Sequence, residues 1–103
     1  MRFIIEATVP IEAGNAGIMS GSLMTAIQNF LITAKPEATY FTVKNGQRTM
    51  IAVVNMERAD QMPGLLEGIW LDLKVNIEFY PTMLAEDLKN AMPDIEKIVS
   101  IRK

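Results

Sequence analysis

An Asn-Gly pair at 45–46 separates two β-prone runs, residues 38–44 and 47–56. A two-residue type I′ turn needs positive φ at both central positions, and Asn-Gly is the pair that best tolerates it. Such a turn leaves little choice of register. Lys44 must face Gln47, followed by Val43–Arg48, Thr42–Thr49, Phe41–Met50 and Tyr40–Ile51. Because strand side chains alternate, one face of the hairpin carries Thr39, Phe41, Val43, Arg48, Met50, Ala52, Val54 and Met56. The other carries Tyr40, Thr42, Lys44, Gln47, Thr49, Ile51, Val53 and Asn55.

The same alternation predicts a first strand over 2–9, with Phe3, Ile5, Ala7 and Val9 on one side and Ile4, Glu6 and Thr8 on the other. Pro10 ends it. Residues 11–17 are rich in glycine and predict a loop leading into a helix, with Asn15 as N-cap. Met19, Leu23, Ile27, Phe30, Leu31 and Ala34 then recur at helical spacing until Lys35-Pro36 stops the helix. Gly14, Gly17 and Gly21 do not fit a dinucleotide fingerprint and read better as a flexible entry and a close helix–sheet contact. Asp60 is the expected cap of a second helix, with Pro63 in its first turn and Met62, Leu65, Leu66, Ile69 and Leu73 as its apolar stripe. Residues 75–80 form a fourth strand. Beyond Pro81, a helix over 84–92 capped by Thr82 is expected to break at Pro93 and restart at Asp94.

The order β-α-β-β-α-β with right-handed crossovers predicts one α+β domain over 1–103: a ferredoxin-like antiparallel sheet of order 4-1-3-2 with a C-terminal helical tail. Both helices cover the face that holds Phe3, Ile5, Met50, Ala52, Val54 and Ile77. The second face, with Ile4, Glu6, Tyr40, Ile51, Val53, Glu78 and Tyr80, is too apolar for water and too polar for an ordinary core. A second copy of the sheet packed against it, as a homodimer, resolves the conflict. Hydrophobic residues make up 50% of the chain, a high share for one small domain, which points the same way.

Several functions are disfavoured by what the chain lacks. It has no cysteine and no histidine, so thiol and imidazole chemistry and the usual zinc sites are absent. Net charge is −2 with scattered basic residues, which argues against nucleic-acid binding. No stretch approaches the roughly 20 apolar residues of a membrane span, and a charge breaks the apolar N-terminal run early. The expectation is a cytoplasmic protein with no metal and no cofactor.

Three segments resemble a small uncharacterised bacterial family of the dimeric α+β-barrel superfamily. They are residues 9–15 (VPIEAGN), 35–42 (KPEATYFT) and 75–83 (VNIEFYPTM) together with Glu86-Asp87-Leu88. That resemblance implies two ferredoxin-like subunits packed sheet to sheet, and no specific activity. The fourth-strand region alone is similar to muconolactone isomerase. The superfamily also includes cofactor-independent monooxygenases and haem-degrading enzymes. The latter commonly ligate haem through histidine, which this chain does not have.

Candidate chemistry lies on the second sheet face. Glu6 and Glu78 fall on adjacent strands, where paired carboxylates can supply a general acid or base; the plainer reading is a wet interface rim. Tyr40, Tyr80 and Trp70 can line a pocket for an apolar molecule, or serve as interface and core anchors. The eight methionines read as fillers of core gaps, and Arg48 as snorkelling to solvent at the hairpin end. Three functions are compatible with this pattern. They are a dimeric protein binding a small, mostly apolar molecule at the sheet face, an isomerase or monooxygenase that uses the carboxylates, and an ACT-like regulatory module.

Overall fold

The computed structural model describes residues 1–103. Strand β1 (Arg2–Thr8) is followed by helices α1 (Ile11–Ser20) and α2 (Ser22–Ala34), then by the hairpin β2 (Ala38–Lys44) and β3 (Gln47–Asn55). A 3₁₀ turn at Ala59–Gln61 leads into α3 (Met62–Leu73), then β4 (Asn76–Pro81) and α4 (Ala85–Arg102). All pairings are antiparallel and the order across the sheet is β2-β3-β1-β4. This is the expected order read from the other edge, compatible with a ferredoxin-like fold.

The hairpin register is the one the Asn-Gly pair dictates, from Lys44–Gln47 to Tyr40–Ile51. Asn45 and Gly46 have φ of 53° and 74°, the positive pair of a type I′ turn. A β-branched residue resists that region, so Gly46→Val is expected to cost roughly 1 kcal/mol or more. Thermal melting should show Tm lowered by about 4–8 °C per kcal/mol; an unchanged Tm would count against the turn.

The core lies between the sheet and α2 and α3. Ile5, Ala52 and Val54 are fully buried on the two central strands, and Leu23, Phe30, Leu66, Ile69 and Leu73 close over them from the helices. Phe3 and Phe79 stack across β1 and β4 with ring centroids 4.7 Å apart. Two-sided apolar runs in β1 and β3 thus occupy the two strands with neighbours on both sides, as strand order requires.

Six local expectations are corrected. Residues 11–17 are not a loop: α1 starts directly after Pro10, whose φ of −57° already suits a helix entry. Asn15 is therefore inside α1, not at its start. Its glycines permit tight packing, since a Cβ at Gly17 would lie 2.9 Å from the Cβ of Leu23. Gly21, at φ 84°, breaks the helix and resets its phase. Met19 consequently belongs to a different helix from Leu23 and is 88% exposed rather than in the stripe.

Asp60 does not cap α3 either. It sits in the 3₁₀ turn and pairs with Arg58 at 3.1 Å, while Gln61 Oε1 accepts from the backbone N–H groups of Glu57 and Arg58. Finally, α4 runs unbroken through Pro93. Proline removes the donor to the Lys89 carbonyl, but this part of the helix is exposed and water can satisfy that oxygen. Asp87 accepts from the Leu84 N–H at the helix start, in place of Thr82, and Arg102 donates to the Ile98 carbonyl at its end.

No residue of α4 is buried. The helix extends the molecule to 60 × 28 × 19 Å, with a radius of gyration of 17.4 Å, where a compact domain of this size has about 13 Å. No helix is long and apolar enough to cross a membrane.

Candidate functional site on the open sheet face

The face away from the helices brings together most of the residues singled out in the sequence. Alternation puts Ile4, Glu6 and Thr8 of β1 on it, and register completes the rows. Glu78, Glu6, Ile51 and Tyr40 form one row across all four strands. Asn76, Thr8, Thr49 and Thr42 form the next row toward the hairpin end. Tyr80 lies opposite Ile4 in the row beyond Glu6.

Glu6 is the centre of this arrangement. It is only 9% exposed on a face that carries no helix. Lys44 covers it, reaching diagonally from the end of β2 to form an ion pair with Glu6 Oε1. Tyr80 donates its hydroxyl to Glu6 Oε2 at 3.4 Å. Thr49 lies between the strands of Lys44 and Glu6 and is 3% exposed, its hydroxyl donating to the Gln47 carbonyl at 3.1 Å. Both oxygens of the buried carboxylate are thus engaged, as burial demands. Glu78 faces Glu6 directly in register but remains exposed.

The Lys44 ammonium is held above its ordinary pKa. The chief cause is its hydrogen bond to Glu6, followed by the charge of Glu6; Glu78 and Tyr80 add to it, and desolvation opposes it. A raised lysine pKa contributes stability that is complete below the unfolded value of about 10.4 and is lost as pH rises through the higher folded value. The difference in Tm between wild type and Lys44→Met is therefore expected to stay constant from about pH 6 to 9 and to shrink in the alkaline range above about 10.4. A difference already vanishing at neutral pH would contradict the pairing.

A cavity of about 230 Å³ opens beside this cluster, lined entirely by polar residues: Glu6, Thr8, Lys44, Asn45, Gln47, Asn76 and Glu78. Its two carboxylates and one ammonium suit a ligand group that both donates and accepts hydrogen bonds. No group of three or more His, Cys, Asp or Glu is placed to hold a metal ion.

Tyr40 is on the same face but at the β2 edge, 64% exposed. Trp70 is apart from the cluster. It belongs to α3, whose Leu66, Ile69 and Leu73 pack on the other side of the sheet. Lys44 is the residue that sequence reasoning missed. The signal was present, because a carboxylate in the middle of a sheet face needs a cation, and Lys44 shares that face at its hairpin end.

A second, apolar cavity of about 310 Å³ lies on the helix-facing side, lined by Phe41, Val43, Met50, Leu23 and Ile27 among others, with Arg48 at its rim. Arg48 donates through both Nη atoms to Asn15 Oδ1, each at 3.2 Å. The chain matches no protein-family model, and no curated protein matches it.

Proposed function

We propose that the protein is a homodimer joined through the open sheet faces, and that the joined faces hold a small, mostly apolar molecule oriented by Glu6, Lys44, Glu78 and Tyr80. The observation that carries this reading is the mixed character of one continuous surface. Ile4, Ile51 and Val53 are apolar and only half-buried in the single chain, while a charged, hydrogen-bonded cluster lies among them. An apolar surface of this kind gains by being covered, and the cluster supplies a few convergent polar groups of the sort that fix a ligand's orientation.

Native mass spectrometry of gently purified protein tests both parts at once. The expected spectrum is a two-chain species carrying a small bound molecule. Glu6→Gln is expected to remain a dimer and to lose that molecule. A bare wild-type dimer overturns the ligand, and a monomer at micromolar concentration overturns the dimer.

A second reading, a cofactor-independent isomerase or monooxygenase, is favoured by one observation: Glu6 and Glu78 stand directly opposite each other on adjacent strands. Glu6 is held by Lys44 and Tyr80, which leaves Glu78 as the carboxylate free to take a proton from a substrate carbon next to a carbonyl. Its test is turnover. If Glu78→Gln retains the rate of wild type on a substrate the protein converts, Glu78 is not the base.

A further inference from the structure

We propose that association through the open sheet faces is coupled to proton uptake at Glu78, so that the dimer tightens as pH falls below neutral. The coupling rests on the dimer of the preceding section and not on its bound molecule.

The charges of the open face do not balance. Those on or beside it are Arg2 and Glu6 of β1, Glu37 just before β2, Lys44 of β2 and Glu78 of β4. Arg2 pairs with Glu37 at 2.9 Å. Lys44 pairs with Glu6, whose other oxygen accepts from the Tyr80 hydroxyl. Both cations of the face are thereby committed, and Glu78 has no ion pair. Two further cations do not serve it. Lys74 caps α3 ahead of β4 and forms no ion pair. The N-terminal ammonium donates to Asn55, which pairs with Arg2 about 13 Å along β1 from Glu6. The other groups around Glu78 are neutral: Thr8, Gln47 and Asn76 line the same cavity, and Tyr80 follows on the same face. Its direct neighbour across the strands is a like charge, Glu6.

In the single chain this surplus is harmless, because Glu78 is exposed to water. Closure removes the water. Glu78 lies in the body of β4, in the row that crosses Glu6, Ile51 and Tyr40. A second sheet that covers Ile4, Ile51 and Val53 is itself four strands wide, about 14 Å between its outer strands. A two-fold axis between the sheets and parallel to the strands sets β4 over β2 of the other copy. An axis across the strands sets β4 over its own counterpart. In either arrangement a strand lies over Glu78. The first brings it the row of Tyr40, and the second brings a second Glu78. Neither brings a free cation.

Taking a carboxylate out of water with no cation beside it favours its protonated form. The proton comes from solvent and returns to it on dissociation. Once protonated, Glu78 no longer repels Glu6 and becomes a hydrogen-bond donor toward it, as two adjoining carboxyls sharing one proton do. Lys44 stays with Glu6 throughout. A dimer that binds more protons than two separate chains is strengthened by acid. With one proton per Glu78, log Kd falls by at most about two per pH unit.

Sedimentation of the wild type and of Glu78→Gln across about pH 5 to 8 tests the coupling, in about 0.15 M salt, where exposed charges are screened beyond about 8 Å. Glu78 is exposed, so the substitution leaves the single chain folded, and circular dichroism checks this at each pH. The wild-type Kd is expected to be at least about tenfold lower at the acid end than at the alkaline end. Glu78→Gln is expected to be the tighter dimer at the alkaline end and to change little with pH. General repulsion between copies of net charge −2 also eases in acid, but it does so in both proteins, so the difference between the two slopes belongs to Glu78. A wild-type Kd independent of pH overturns the coupling, and so does a slope equally steep in Glu78→Gln. Either result leaves the dimer standing, whereas monomers of both proteins at every pH remove the sheet-face dimer as well.

Discussion

Thermal melting of Ile5→Ala is expected to place its Tm at least about 10 °C below that of the wild type. Ile5 is fully buried on a central strand, paired with Ala52 on one side and Phe79 on the other. Its side chain enters a core of only 13 buried residues. Removing three carbons there loses their transfer free energy and leaves a cavity that strands hydrogen-bonded on both edges cannot collapse to fill. Substitutions of this kind cost about 2–5 kcal/mol. Small domains have about 5–15 kcal/mol in total, and each kcal/mol is worth about 4–8 °C at this size. Ile101→Ala is the control. Ile101 lies on α4, 76% exposed, and its loss should change stability by no more than about 0.5 kcal/mol. Equal melting temperatures for the two variants would show that the centre of the sheet is not where the stability resides.

Most of the sheet was legible because its constraints are short-range and discrete. One Asn-Gly pair fixed the turn, the turn fixed the register, and a period of two then assigned every side chain to a face. Strand order followed from handedness and from which strands were apolar on both sides. The helices were less legible because their boundaries depend on packing. The segment 11–17 has low helix propensity, yet it is helical, since Pro10 starts it and Gly14 and Gly17 pack closely against neighbouring residues. The phase break at Gly21 could not be read from spacing, and it alone explains why Met19 is exposed. Pro93 lowers helix propensity without deciding the outcome when the residues on both sides are good helix formers.

The candidate site shows the same division. Glu6, Glu78, Tyr40 and Tyr80 share a face because alternation demands it. Alternation also puts Lys44 on that face, but its contact with Glu6 crosses β3 diagonally and is made by sheet twist and side-chain rotamer, which alternation alone does not give. Trp70 was assigned by its nearness to β4 in sequence. Its side of α3 is set by the helix stripe, which turns Leu66, Ile69 and Leu73 toward the sheet and leaves Trp70 in the helical layer.

Val53→Glu is expected to convert the proposed dimer to a monomer while leaving the monomer folded. Val53 lies on the open face of β3, between Ile4 and Ala38, and is only half-buried in the single chain. A glutamate there can turn its carboxylate to water in the monomer. In the proposed dimer the same carboxylate is covered by the second sheet, and the one cation diagonal to it on that face, Arg2, is already paired with Glu37 at 2.9 Å. An uncompensated buried charge costs about 3–5 kcal/mol, equivalent to at least a hundredfold weakening of association, since about 1.4 kcal/mol is tenfold. Val53 is a better position than Ile51 for this purpose. Ile51 stands directly opposite Glu6, so a glutamate there would meet a like charge even within one chain and confuse folding with assembly. Val53→Ala separates charge from lost volume and should remain dimeric. Sedimentation at micromolar concentration reads the assembly, and circular dichroism reads the fold of the same samples. A Val53→Glu variant that still sediments as a dimer would place the contact between copies somewhere other than the open face. A variant that unfolds outright would show that Val53 is core in the single chain, contrary to its half-buried place on the sheet.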